Sequence, residues 1–77
     1  MSKRRKLFEK LKNNPKDVTF AQIEKLLVGA GFVLDRISGS HHIFKKGTTK
    51  FVLPVHKNRV KSVYVKRVIE IIEENAV

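Results

Sequence analysis

Residues 32–55 read Phe32-Val33-Leu34-Asp35-Arg36-Ile37, then Ser38-Gly39-Ser40, then His41-His42-Ile43-Phe44-Lys45-Lys46, then Gly47-Thr48-Thr49, then Lys50-Phe51-Val52-Leu53-Pro54-Val55. Three runs of six residues, each with β-branched or aromatic side chains, are separated by two glycine-containing triplets. Runs of that length predict strands, and turns that short predict hairpins, so the sheet is antiparallel. Pro54 has no N–H to give to a ladder, which puts it on an edge or at a strand end.

Helical patterns flank this block. Upstream, Thr19-Phe20-Ala21-Gln22 has the form of a capping box, with Thr19 as the cap and Gln22 reaching back to it. Ile23, Leu26 and Leu27 then share one helix face, and Gly29 and Gly31 supply the stop. Downstream, His56 to Lys61 reads as a basic loop. From Ser62 onward Val65, Val68, Ile69 and Ile72 recur at helical spacing, with Lys66, Arg67, Glu70 and Glu73 turned outward, and this helix ends near Asn75. At the start, residues 2–12 place Leu7, Phe8 and Leu11 on one face of a short basic helix that Asn13-Asn14-Pro15 stops, and these three apolar residues favour a helix that docks over a disordered basic arm. The order is α-α-β-β-β-α, with the first helix peripheral. Helices on one face of a small three-stranded antiparallel sheet make a two-layer α+β fold. The whole chain, 1–77, is expected to be a single domain, with residues 1–16 as a basic helical extension.

The chain has 77 residues and a formal net charge of +10. The charge is uneven. Residues 1–16 carry seven positive groups and one negative, and the stretch from Arg36 to Lys61 carries seven Lys or Arg and no acid. Such basic blocks suit a polyanion, an acidic protein partner, or both. There is no cysteine, which excludes a disulfide framework and a Cys-based zinc site. With no acidic ligand near the histidines, a metal site built from His41, His42 and His56 is not expected. No run is apolar enough to span a bilayer, and the basic start is not followed by a signal-peptide core. A cytoplasmic protein without membrane contact is the expectation.

All three histidines lie in the acid-free basic stretch. Histidine is the side chain best suited to move protons near neutral pH. Strand alternation puts His41, Ile43 and Lys45 on one face and His42, Phe44 and Lys46 on the other. His41 and His42 therefore cannot share a catalytic face. His41 stands at the mouth of the Gly-Ser turn, where Gly39 leaves room for a backbone to approach and Ser38 and Ser40 offer hydroxyls to a phosphate. His41 is the better catalytic candidate and His42 the better structural one. Phe44 and Phe51 are assigned to the core.

Gly31-Phe32, Arg36, Gly39-Ser40-His41-His42, Pro54 and His56, followed by a closing helix, together resemble the HicA family of toxin–antitoxin mRNA interferases. The resemblance spans roughly residues 18–73. It implies a fold like that of a double-stranded-RNA-binding domain. It implies that the Gly-Ser-His histidine, here His41, is the essential group, with Gly39 and Ser40 as the loop before it. It implies cleavage of mRNA without a metal or other cofactor, and inhibition by a HicB-type antitoxin protein that covers the histidine. His56 falls on a basic position that varies in the family. Residues 1–16 precede the family pattern, which says nothing of their role.

RNA can be cut without a metal because its own 2′-OH is a nucleophile. A base takes that proton, O2′ attacks the adjacent phosphorus, the bond to O5′ breaks, and an acid protonates O5′, leaving 2′,3′-cyclic phosphate and 5′-OH ends. Histidine performs either proton transfer, typically for about 10²–10⁴-fold in rate. Cations must also stabilise charge on the phosphoryl oxygens. Arg36, Lys45 and Lys46 are the near candidates, and with Gly39, Ser40, His56 and Lys57 they form the expected RNA-binding set. The second proton-transfer group stays open between His56 and help from a tyrosine or serine. The alternative function is a non-catalytic RNA-binding module of the same fold.

Overall fold

The computed structural model describes residues 3–75. Its elements run α1 (Lys3–Asn13), β1 (Val18–Thr19), α2 (Phe20–Gly29), β2 (Val33–Ser38), β3 (His41–Lys46), β4 (Thr49–Pro54), β5 (Arg59–Val60) and α3 (Ser62–Asn75). The fold is α+β, with three helices and an antiparallel sheet in the order β2-β3-β4. Ser2, where the sequence starts the first helix, lies outside the described residues.

The capping box forms as expected. Gln22 N donates to Thr19 Oγ1 at 3.3 Å, and Thr19 N donates to Gln22 Oε1 at 3.0 Å. At the other end the stop is a Schellman arrangement. Gly31, at φ 97°, donates its amide to Val28 O, and Phe32 donates its amide to Leu27 O at 2.9 Å. The Phe32 amide is thus spent on closing α2, which explains why the first strand begins at Val33 and not at Phe32.

β3 has its expected limits, whereas the end of β2 and the start of β4 each shift by one residue, and the turns explain it. Ser38 pairs with His41, and Lys46 with Thr49, so each hairpin has only two loop residues. Gly39 and Gly47 take φ of 59° and 58° at the first loop position, while Ser40 and Thr48 stay at negative φ. That is the signature of type II′ turns, whose twist matches paired strands. Ser38 and Thr49 are therefore ladder residues and not part of the turns.

Residues 56–61 are more ordered than the loop that the sequence suggests. His56 and Arg59 bridge across Lys57 and Asn58, which take φ of 50° and 64°. Two positive values mark a type I′ turn. Beyond it β5 pairs antiparallel with β1, Val18 opposite Val60 and Thr19 opposite Arg59. Val18 and Val60 are buried, so this small second sheet closes one end of the core.

The core lies between the helices and one face of the sheet. Ile23 and Leu27 of α2, Phe44 and Leu53 of the sheet, and Val65 and Val68 of α3 have no accessible surface. Phe51 joins them, as expected for both strand phenylalanines. The first helix docks through Leu7, Phe8 and Leu11, as expected, and is less peripheral than the sequence suggests. Leu11 is 2% exposed, Leu7 and Phe8 pack on the same cluster, and α1 touches both α2 and α3. Burying a leucine fully contributes about 1.5–3 kcal/mol, which holds a helix that its basic charge alone would not dock.

Candidate functional site

The outer face of the sheet is covered by no helix. Directly paired residues share a face, so the register gives its layout in rows. Val33, Lys45 and Lys50 form one row, Arg36, Ile43 and Val52 the next, and Ser38, His41 and Pro54 the last. Ile43 is buried here, between Arg36 and Val52, without belonging to the core cluster. It gives the open face an apolar centre rimmed by cations.

His41 is exposed at the turn end of this face. Its cross-strand partners are Ser38 on β2 and Pro54 on β4, each with Cα about 4.5–5.5 Å away in such ladders. Arg36 is a diagonal neighbour, about 7–8 Å off between strand positions and within reach of a guanidinium. Arg36 makes no ion pair among the described residues.

His42 points the other way, as alternation requires. Its ring lies 4.4 Å from that of Phe20, centroid to centroid, and Phe20 in turn packs near Phe44. Its Nδ1 is 3.4 Å from Ser40 O, which as a carbonyl can only accept. Ser40 O also accepts the Val55 amide at 2.8 Å. The Gly39-Ser40 turn that presents His41 is thus tied to β4 and to the ring beside it.

The remaining sequence candidates divide. Lys45 lies on the open face, but four positions from His41, about 13 Å along the strand, and its ammonium pairs with Asp35 at 3.3 Å. Asp35 follows Val33 onto the open face by alternation and so reaches it, and the irregularity of the ladder between Leu34 and Arg36 then returns Arg36 and Ser38 to that same face. Lys46 faces the helices. Its Nζ donates to Ala30 O at 2.7 Å and stands 5.9 Å from the Phe32 ring centre, so it caps α2. His56 and Lys57 sit beyond β4 in the type I′ turn. Because Ser40 lies beside Val55, that turn is at the same end of the sheet as His41. Tyr64 is partly buried against the core.

The sequence reading assigned no task to Lys16, Arg59 or Lys61, which line a cleft together with His56. The Lys57-Asn58 pair between two strand-like residues was the only local sign of the tight turn that brings them together. No three His, Cys, Asp or Glu side chains converge as metal ligands among the described residues. No described helix is long and apolar enough to cross a membrane.

A basic α+β fold of this order, with a solvent-facing histidine at a Gly-Ser turn on an uncovered sheet face, defines a class of small, strongly basic domains that expose a histidine. The sequence match is more specific: the family model described as HicA toxin of bacterial toxin-antitoxin matches residues 20–73. The chain belongs to the HicA toxin family. No curated protein and no solved structure matches it significantly.

Proposed function

We propose that this toxin-family protein is a metal-independent endoribonuclease that cleaves mRNA, with His41 as its catalytic group. The observation that carries the reading is the split between adjacent histidines. His42 is packed on Phe20, whereas His41 is presented to solvent by a tight turn, beside a serine and one diagonal step from Arg36. Family membership brings an antitoxin partner, and in this reading it is a HicB-type protein that covers the open face. The setting is the cytoplasm, where mRNA is met. The chain acts as one domain, with residues 1–16 as its basic extension.

In this mechanism His41 exchanges the proton of the 2′-OH or of the leaving O5′. Arg36 stabilises the charge that grows on the phosphoryl oxygens. Ser38 and the Gly39-Ser40 turn hold the phosphate, since hydroxyls and backbone amides are the usual positioning groups for it. Lys45 contributes at the far end of the face once RNA competes with Asp35 for its ammonium. His56 and Lys57 reach the same RNA from the neighbouring turn. Lys46 acts through the fold, by holding the end of α2.

The test incubates purified protein with one long RNA, with and without excess EDTA, beside the His41→Ala variant. Cleavage that survives EDTA and falls by about 10²–10⁴-fold in the variant supports the reading. The products should carry 2′,3′-cyclic phosphate and 5′-OH ends. A 5′-phosphate product would instead mean attack by water. RNA binding without cleavage by the wild type would leave a non-catalytic module.

A further inference from the structure

The cleft lined by Lys16, Asp17, His56, Arg59, Val60, Lys61 and Ser62 measures about 770 Å³ and is open to solvent. Its cations come from three places in the chain. Lys16 precedes β1, His56 and Arg59 are the bridging residues of the type I′ turn, and Lys61 precedes α3. The pairing of β1 with β5 brings them together. Arg59 is fixed by an Nη1 bond to Asp17 O at 3.1 Å, which uses the backbone of the cleft's acid and leaves other guanidinium N–H groups unspent. Neither Lys16, Arg59 nor Lys61 forms an ion pair among the described residues. Two lysines, an arginine and a histidine thus line the cleft with one acid, Asp17.

The position of this cleft relative to His41 gives it a task. His41 pairs with Pro54, Ser40 lies beside Val55, and His56 follows at once. His56 is therefore two strand positions from Pro54, a rise of about 7 Å. On the nuclease reading, an RNA whose reacting phosphodiester sits at His41 has its neighbouring phosphates within reach of this end of the sheet.

The geometry points to the cleft as a second phosphate site, one that takes a neighbouring internucleotide phosphate of the RNA whose cleavage His41 performs. The site rests on the nuclease reading for its ligand, and adds to it the residues that set the track of the RNA. Lys16 lies outside the segment that the family model matches, so in this chain the residues before β1 supply part of the contact. Lys16 and Lys61 are exposed, so replacing them leaves the fold intact.

The test measures binding of a fluorescent single-stranded RNA over a salt series, in a His41→Ala parent that cannot cut it. Lys16→Gln/Lys61→Gln removes two cleft charges, and Lys3→Gln/Lys10→Gln removes the same charge from α1. Each phosphate contact contributes about 0.7 to the slope of log K against log salt for single strands. The cleft variant should lower that slope by about 0.7 or more, with the α1 variant keeping the parent slope. Equal losses in both would show that affinity follows net charge alone and would overturn the site, as would an unchanged slope in the cleft variant. If wild type binds RNA but does not cut it, the nuclease reading fails while the slope comparison still decides the cleft. A parent that binds no RNA at low salt overturns both.

Discussion

His42 rests its ring 4.4 Å from that of Phe20, while His41, one residue earlier, faces the opposite side of the sheet. Two identical side chains thus stand in opposite settings. An aromatic pair of this kind contributes about 0.5–1.5 kcal/mol beyond its buried area. His42→Ala should therefore lower unfolding free energy by about 1–2 kcal/mol, whereas an exposed His41→Ala should stay within about 0.5 kcal/mol. Urea unfolding of the two variants checks this. A larger loss for His41 than for His42 would mean that the assignment of faces is wrong.

The turn before them makes a second prediction. Gly39 stands at φ 59°, and a Cβ added there would meet nothing within 4 Å. Any penalty for Gly39→Ala is therefore conformational and not steric, about 1–2 kcal/mol for a left-handed residue. Gly39→Asn should recover little of it, because asparagine tolerates the left-handed helical region and the first position of a type II′ turn lies outside that region. Both stability and RNA cleavage should fall in the Asn and the Ala variant alike. Equal activity of all three at saturating RNA would show that His41 does not depend on the geometry of its turn.

What the sequence disclosed, and what it hid, follows from how local each signal is. The capping box, the three strands and the opposed faces of His41 and His42 rest on spacings of two to four residues, and all of them appear. The pairing of Val18 with Val60 rests on two-residue strands 42 positions apart, too short to show any period. The place of Arg36 and Ser38 on the face of His41 depends on a bulge that breaks alternation, and the Lys46 bond to Ala30 O joins β3 to the end of a helix. A lysine reads the same in sequence whether it meets RNA, a carboxylate or a carbonyl. The first helix lies nearer that limit, since three apolar residues among many cations favour docking yet show neither its partners nor its depth.

Leu11 decides that last case. At 2% exposure among α1, α2 and α3 it belongs to the core. Leu11→Ala should cost about 2–5 kcal/mol, the range for a buried leucine. A peripheral arm would lose well under 1 kcal/mol, as surface substitutions do at about ±0.5 kcal/mol. Chemical denaturation separates the two outcomes. A loss of the first size also means that residues before the family segment stabilise it.

The same helix is tied to α3 by Lys12 Nζ and Glu73 Oε2 at 2.7 Å. The hydrogen bond to Glu73 and its charge, aided by the charge of Glu9, raise the Lys12 ammonium above its ordinary 10.5. A lysine whose folded value is raised stabilises the fold fully below its unfolded value. That contribution is lost as pH climbs through the raised one. Both side chains are nearly half exposed, so the effect is small and screened by salt. Lys12→Met keeps the stem over Phe8 and removes the charge, whose Nζ lies 5.9 Å from that ring. Wild type should therefore melt slightly above the variant from neutral pH up to 10.5 at low salt. The gap should close at higher pH and shrink on adding salt. A gap that persists beyond the titration of Lys12 would assign the contribution to the packing of its stem, and the ion pair would hold nothing.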